Sequence, residues 1–92
     1  MEENTLYIGN LDYGITEERL LMWINSQGFK PKSIRIVKDR ITDKSRGFGF
    51  IEFSTDKEFI MAMDFLDNEV LNGHQIKVRP ANRPKPTGDP FK

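Results

Sequence analysis

Cysteine is absent from this 92-residue sequence, and histidine and tryptophan each occur once. Without cysteine the chain has no disulfide bond and no thiolate that could bind a metal or attack a substrate. The lone histidine, His74, has no acidic or cysteine cluster beside it in the sequence. We therefore interpret it as a loop histidine, and we expect no metal, no cofactor and no enzyme active site.

Long apolar runs are also missing, since no segment approaches the roughly 18 uninterrupted apolar residues of a membrane-spanning helix. The N-terminus does not carry the charged and then apolar pattern of a secretory signal. A chain of 92 residues forms one domain. We expect a soluble, intracellular domain, nuclear or cytosolic, that does not act at a membrane.

The formal net charge is zero, which by itself argues against nucleic-acid binding. The charges nevertheless alternate in blocks along the chain. Residues 1–29 and 54–76 each carry a net −4, and residues 30–53 and 77–92 each carry a net +4. The acidic blocks coincide with predicted helices, and the basic blocks with predicted strands, a loop and the tail. If helices and sheet occupy opposite sides of the domain, the sheet face is positive.

Residues 46–53 form a predicted strand with two chemically different faces, because side chains alternate along a strand. Ile51 faces a predicted core, whereas Arg46, Phe48 and Phe50 share the opposite face. Exposing two large rings side by side is unfavourable unless a flat ligand covers them. The two glycines of this strand would leave room for such a ligand to approach the backbone. A strand of this kind is typical of a surface on which nucleic-acid bases stack.

The same octapeptide, residues 46–53, matches the RNP1 signature of the RNA-recognition motif (RRM) family. Upstream, residues 6–11 resemble the RNP2 signature of that family, and the two motifs begin 40 residues apart. The chain therefore resembles an RRM domain over roughly residues 4–79. The resemblance implies that the domain binds single-stranded RNA, with mRNA as the expected target.

Hydrophobic periodicity predicts four strands and two helices in the order β-α-β-β-α-β. Thr16 and Thr55 are predicted N-caps, and Glu58, three residues after Thr55, completes a capping-box pattern. Gly28 is the predicted stop of the first helix. The predicted strands comprise residues 4–9, 33–38, 46–53 and 75–79.

Right-handed crossovers place both predicted helices on one face of a four-stranded antiparallel sheet with strand order 4-1-3-2. The predicted fold is thus an α+β, ferredoxin-like sandwich. We expect the RRM domain to comprise residues 1–79. Residues 80–92 contain four prolines, so we expect a flexible Pro-rich tail that forms neither strand nor helix.

The first and third strands are neighbours in this order, so Tyr7, Phe48 and Phe50 are expected to lie coplanar on the face that no helix covers. By resemblance to the family, Tyr7 and Phe50 each stack one base, and Phe48 packs against the sugars between them. Basic side chains nearby would bind phosphates. Asn10 has an equally good structural interpretation, since a loop-entry asparagine commonly satisfies its own backbone. The predicted RNA-binding residues are Tyr7, Asn10, Arg35, Lys38, Arg40, Arg46, Phe48, Phe50, Lys77, Arg79 and Asn82.

Three shorter stretches, residues 9–14, 75–78 and 82–84, look like the nuclear poly(A)-binding protein branch of the family. This finer resemblance implies a preference for adenosine and a role in mRNA processing at 3′ ends. A splicing or translation factor without poly(A) preference is the alternative within the family.

Other functions compete with RNA binding. One is a protein-binding module of the same fold, and a protein partner on the acidic helices could also coexist with RNA. An enzyme would need a catalytic pair, a metal cluster or a phosphate-binding glycine loop, none of which this sequence assembles. A further hypothesis is that Phe91 in the tail folds back over the exposed rings.

Overall fold

The computed structural model describes residues 4–81. Two helices, α1 and α2, alternate with the strands in the predicted order, and a small hairpin precedes the last strand. The elements are β1 (Thr5–Gly9), α1 (Glu17–Ser26), β2 (Ser33–Lys38), β3 (Ser45–Glu52), α2 (Asp56–Leu66), β4 (Val70–Leu71), β5 (His74–Gln75) and β6 (Lys77–Pro80).

The main sheet has the order β2-β3-β1-β6, and every neighbouring pair in it is antiparallel. With β6 as the fourth long strand, this confirms the predicted order 4-1-3-2 and the ferredoxin-like α+β fold. The hairpin of β4 and β5 forms a separate two-stranded sheet. The central strands β1 and β3 are paired along their length, so their side chains meet on both faces of the sheet.

Alternate strand residues build the core by facing the helices. Leu6, Ile8 and Ile51 are fully buried and belong to one cluster with Leu20 of α1 and Phe59 of α2. Both helices therefore pack on the same face of the sheet. Each large side chain buried in this way contributes about 1.5–3 kcal/mol of transfer free energy. Within the described residues, neither helix has the length and hydropathy needed to cross a membrane.

Helix α1 begins and ends as its sequence predicts. The Thr16 hydroxyl accepts a hydrogen bond from the backbone N–H of Arg19 at 3.1 Å. At the other end Gly28 has φ +97°, a left-handed conformation that favours glycine. The N–H groups of Gly28 and Phe29 then donate to the carbonyls of Asn25 and Ile24, at 3.0 and 3.2 Å. This is a Schellman motif, which terminates the helix.

Helix α2 has only half of the predicted capping box. The Thr55 hydroxyl accepts from the N–H of Glu58 at 3.1 Å. The Glu58 carboxylate, however, accepts from the backbone N–H of Lys30 at 2.7 Å. It therefore ties the start of α2 to the segment that leads into β2, which is a tertiary contact that local sequence does not encode.

The C-terminal part of the sheet differs from the prediction. Gln75 pairs with Val70 in the hairpin, whose tight turn at Asn72 and Gly73 has φ +53° and +82°, as in a type I′ turn. Strand β6 runs on to Pro80, which pairs with Leu6. The expectation that residue 80 could not be in a strand is therefore wrong, because β6 is an edge strand, where proline is tolerated.

Candidate nucleic-acid interface

Three aromatic rings occupy the face of the sheet opposite the helices, here called the open face. Tyr7 on β1 lies directly across from Phe50 on β3, and Gly9 lies across from Phe48. The Tyr7 ring centroid is 5.6 Å from that of Phe48 and 6.2 Å from that of Phe50, and Phe48 and Phe50 are 6.2 Å apart. All three side chains are partly exposed. We call this cluster of Tyr7, Phe48 and Phe50 the ring platform.

The rings of the platform are not coplanar, contrary to the prediction. Their planes meet at 36° for Tyr7 and Phe48, 66° for Tyr7 and Phe50, and 87° for the two phenylalanines. Aromatic pairs prefer such tilted and edge-to-face arrangements because the positive ring edge meets the negative ring face. The platform therefore presents its rings at different inclinations.

Gly9 shapes the platform, and sequence reasoning missed it. A Cβ atom on Gly9 would lie 2.5 Å from the Tyr7 hydroxyl oxygen and 2.9 Å from two of its ring carbons. The Tyr7 ring therefore lies across the backbone of its own strand, over a position that lacks a side chain. A glycine two residues after an exposed aromatic, on the same face of a strand, is the signal that could have found this role.

The sequence suggested that the two glycines of β3 leave room for a ligand. In the structure, the space beside each of them is filled by other parts of the protein. A Cβ on Gly49 would collide with the carbonyl oxygen of Arg35 and lie 3.0 Å from the Cα of Ile36, so this glycine permits close packing against β2. Gly47 has φ +84°, and a Cβ there would be 2.7 Å from a ring carbon of Tyr13. Both glycines are buried by their own protein.

Two arginines accompany the rings on the open face. Arg35 on β2 lies across from Phe50, and its guanidinium carbon is 5.5 Å from the Phe50 ring centroid, which is a cation–π contact. Arg46 is exposed near the start of β3 and lines the same cleft as Tyr7 and Phe48. The structure therefore brings two of the predicted phosphate-binding side chains to the ring platform.

The two basic residues of β6 are held at the sheet edge by polar partners. The Lys77 ammonium donates to the side-chain oxygen of Asn68 at 2.6 Å. Arg79 donates to the Asp67 carboxylate at 3.2 Å and to the carbonyl of Val78 at 2.8 Å. Asp67 also accepts from the N–H of Val78 at 2.9 Å. That backbone hydrogen bond, followed by the charge of Arg79, lowers the pKa of Asp67 below its ordinary value.

Lys38 ends β2 and Arg40 lies in the loop that follows, and neither lines the cleft that contains Tyr7 and Phe48. The Asp39 carboxylate organises this loop by accepting from the N–H groups of Thr42 and Ile41, at 3.0 and 2.8 Å, which lowers the pKa of Asp39. Lys38 lines a groove that it shares with the first residues of α1, on the helical side of the sheet. Arg40 is exposed and makes no ion pair among residues 4–81.

Asn10 makes a structural contact, but with a distant strand and not with its own local backbone as the alternative interpretation had it. Its side-chain amide donates to the carbonyl of Gln75 at 2.8 Å, and its backbone has φ +60°. Two further contacts join the same parts of the chain, since the Asp12 carboxylate accepts from Asn72 at 3.2 Å and lies 4.0 Å from the His74 ring. His74 thus has an acidic neighbour, 62 positions away in the sequence, which the sequence analysis did not foresee.

The remaining predictions concern the C-terminal tail and metal binding. Asn82 and the Phe91 tail hypothesis lie outside the described residues, as does most of the predicted flexible tail. Across residues 4–81, no three His, Cys, Asp or Glu side chains are grouped so that they could hold a metal ion.

Comparison with known proteins finds sequences and structures that match this chain along most of its length. A family model described as "RNA recognition motif" matches residues 6–77. The crystal structure of an RNA-binding protein named PG1 has a TM-score of 0.76 and 34% identity, covering 88% of this chain and 98% of that one. The 29 kDa ribonucleoprotein A of Nicotiana sylvestris is 39% identical over 83 residues, which make up 90% of this chain and 30% of the relative.

A polyadenylate-binding protein of Nicotiana plumbaginifolia is 30% identical over 90 residues, covering 98% of this chain and 22% of the relative. The chain thus spans 30% or less of the length of these two curated relatives.

The relatives correct the expected cellular location. The ribonucleoprotein of Nicotiana sylvestris is chloroplastic, as are matched ribonucleoproteins from Nicotiana plumbaginifolia and Arabidopsis thaliana. The expectation of a nuclear or cytosolic location is therefore wrong, since these relatives point to the chloroplast.

Proposed function

The chain belongs to the RNA recognition motif family, and we propose that its open face binds single-stranded RNA by stacking bases on the ring platform. One base stacks on Tyr7, one stacks on Phe50, and Phe48 packs against the sugars between them. The observation that carries this proposal is that all three rings are partly exposed on the face that no helix covers. Membership of this family also means that the domain is not an enzyme.

Stacking alone does not supply a high affinity. Each base–aromatic stack contributes about 1–3 kcal/mol, so two stacks contribute roughly 2–6 kcal/mol. A dissociation constant of 1 μM requires about 8 kcal/mol. The difference comes from charge, chiefly from Arg46 and Arg35, which lie beside the rings on the open face.

The other predicted RNA-binding residues have lesser roles in this proposal. Lys77 and Arg79 must exchange their contacts with Asn68 and Asp67 before they bind a phosphate. Arg40, which is exposed in the loop between β2 and β3, and Lys38, at the end of β2, would bind RNA that extends past that loop. We assign the binding domain to residues 1–79 together with Pro80, which completes β6, and the rest of the chain is an appended Pro-rich segment that adds Asn82.

Within RNA, we propose that adenosine-rich single strands, such as the 3′ ends of mRNA, are preferred targets. The sequence stretches at residues 9–14 and 75–78 support this, as does similarity to a relative named for polyadenylate binding. The alternative is a ribonucleoprotein domain without poly(A) preference, which the 39% identity to a chloroplast ribonucleoprotein favours. A comparison of base preferences separates the two.

The test is a titration of fluorescent A-, U-, C- and G-rich octamers with the wild type and with a Phe48→Ala/Phe50→Ala double variant. We expect the wild type to bind and the double variant to lose most of its affinity while remaining folded by circular dichroism. Binding that the double variant retains in full would remove the stacking mechanism. Tighter binding of the A-rich octamer by the wild type would support the poly(A) preference, and equal binding of all four would contradict it.

A second function is supported by the outer side of α2. Ile60, Met61 and Phe65 project from this helix with exposed fractions of 51%, 52% and 55%. The surrounding residues 54–76 carry a net −4. We propose that this surface binds a peptide that combines apolar and basic side chains, because such a peptide complements both the exposed apolar side chains of α2 and the negative charge around them.

An NMR titration with an amphipathic Lys/Leu peptide tests this second function. We expect the peptide to change the chemical shifts of residues along α2 in the wild type but not in an Ile60→Glu/Met61→Glu variant. The RNA affinity of that variant should equal that of the wild type. Shift changes spread evenly over the domain would contradict a defined peptide site.

A further inference from the structure

The connection between β1 and α1 presents an exposed aromatic residue next to the ring platform. Tyr13 is 74% exposed, although the residues on either side of its turn, Leu11 and Ile15, are buried. The turn is closed by a hydrogen bond from the N–H of Ile15 to the carbonyl of Asp12 at 3.0 Å. Leu11 donates to the carbonyl of Gly47 at 2.9 Å, which fixes the turn to β3. Tyr13 therefore projects from a backbone that is anchored at both ends.

The ring of Tyr13 rests on Gly47. That position has φ +84°, and any Cβ would lie 2.7 Å from the tyrosine ring. Glycine suits position 47 for two reasons. It adopts a positive φ without steric cost, and its lack of a side chain leaves the surface open to the Tyr13 ring. Stability does not require an exposed tyrosine at this place, because a side chain that is 74% exposed buries little apolar area.

Tyr13 is one wall of a cleft that continues from the platform. The cleft has a volume of about 530 Å³, and its lining includes Tyr7, Asp12, Tyr13, Arg46, Phe48 and His74. This volume lies within the range of about 300–1,000 Å³ that is typical of small-ligand sites. Asn10 and Asp12 hold the cleft in shape, because they join the β1–α1 connection to the β4–β5 hairpin through Gln75 and Asn72.

We propose that this cleft binds one further nucleotide of the RNA strand, with its base stacked on Tyr13. The inference rests on the proposed function, because the nucleotide arrives as the neighbour of those on the ring platform. Tyr13 would then be a third base-stacking ring, in addition to Tyr7 and Phe50, and would lengthen the bound strand beyond the sheet.

Charge orients the nucleotide in the cleft. Arg46 supplies a cation for the phosphate, whereas the Asp12 carboxylate, next to His74, repels a phosphate and accepts from N–H groups. The sugar–phosphate backbone therefore lies on the Arg46 side, and the edge of the base faces Asp12 and His74. Bases expose such N–H groups on their Watson–Crick edges when they are unpaired.

The test is a length series of oligonucleotides, from two to six nucleotides, made from whichever homopolymer binds the wild type most tightly. A dinucleotide covers only Tyr7 and Phe50, whereas a longer strand also reaches the cleft. We expect wild-type affinity to rise by roughly 5- to 100-fold at the step that fills the cleft. A Tyr13→Ala variant should bind the dinucleotide as the wild type does and should lack that step, whereas Tyr13→Phe should keep it.

Met22→Ala is the matched control, since Met22 is also largely exposed, at 61%, but lies on α1 on the helical side. It should reproduce the wild-type length series. Tyr13→Ala affinities that equal the wild type at every length would overturn the cleft as a nucleotide site. An equal loss at every length, including the dinucleotide, would also overturn it, because Tyr13 would then act by supporting the platform. Neither outcome affects the proposal that RNA stacks on the ring platform. That proposal fails if the Phe48→Ala/Phe50→Ala variant binds RNA as tightly as the wild type does.

Discussion

Tyr7 and Phe50 face each other across the two central strands, with ring centroids 6.2 Å apart and ring planes at 66°. The two rings therefore pack edge to face. An aromatic pair of this kind contributes about 0.5–1.5 kcal/mol beyond its buried area. The Phe48 ring also packs against Tyr7, with their ring centroids 5.6 Å apart. The rings are thus held in place before any ligand arrives, which lowers the entropic cost of binding.

We predict that Tyr7→Ala and Phe50→Ala each weaken binding of a single-stranded RNA octamer by roughly 5- to 100-fold. The double variant should lose less than the product of the two single effects, because each single change also removes the support of the other ring. Equilibrium titrations of the four proteins measure this coupling. Strictly additive losses, within about 0.5 kcal/mol, would show that the rings act independently.

Gly9→Ala should weaken RNA binding with little loss of stability. The added Cβ meets the outer part of the Tyr7 ring, at 2.5 Å from its hydroxyl oxygen, and a side chain at a surface can rotate away. The displaced ring no longer presents the same face to a base. Thermal unfolding and RNA titration of the same variant separate the two effects, and unchanged RNA affinity would contradict the role assigned to Gly9.

Gly49→Ala is the informative counterpart, because its Cβ would meet the backbone of β2 instead of a side chain. The backbone of a strand that is hydrogen-bonded along β3 cannot move aside cheaply, so we expect a loss of about 1–3 kcal/mol in unfolding free energy. Chemical denaturation measures this loss. A Gly49→Ala protein as stable as the wild type would mean that β2 and β3 separate more easily than their pairing indicates.

The parts of the fold that the sequence predicts are those encoded by alternation and by short-range signals. The faces of β3 follow from a period of two residues, so the shared side of Phe48 and Phe50 could be predicted. The helix signals at Thr16 and Gly28 involve residues within one turn of the helix end, and both are confirmed.

Long-range contacts are what the sequence did not predict. Arg79 belongs to the open face by alternation, yet Asp67, 12 positions away, draws its side chain to the sheet edge. Asn10 bonds to Gln75, which is 65 positions away. Hydrogen bonds of this kind depend on the finished packing, so neither periodicity nor a local motif indicates them.

The salt dependence of RNA binding should distinguish Arg46 on the open face from Arg79 at the sheet edge. If about three cations contact phosphates, log affinity should fall with log salt with a slope near −2, at about −0.7 per contact for single strands. Arg46→Gln should reduce that slope by about 0.7, since Arg46 is exposed beside the rings. Arg79→Gln should change it less, because Arg79 is paired with Asp67. Titrations at several salt concentrations measure both slopes, and equal changes would contradict the distinction.

Asp67 should make the stability of the domain depend on acid pH. Its pKa in the folded protein is lowered from the ordinary 3.8, first by the hydrogen bond from the N–H of Val78 and then by Arg79. A carboxyl group with a lowered folded-state pKa stabilises the protein above the unfolded value and loses this effect as the pH falls through the folded value. We therefore expect the stabilisation to be complete above about pH 3.8 and to disappear progressively at lower pH.

Two variants separate the charge of Asp67 from its hydrogen bond. Asp67→Asn keeps an oxygen that accepts from Val78 at the position now 2.9 Å away, but it removes the charge that Arg79 contacts. Asp67→Ala removes both, leaves an N–H of the edge strand without its partner, and should cost about 1 kcal/mol or more at neutral pH. Unfolding free energies measured from pH 7 downwards should converge with the wild type for Asp67→Asn as the acid limit is approached. A constant difference between wild type and Asp67→Asn at every pH would show that the carboxylate charge does not stabilise this edge.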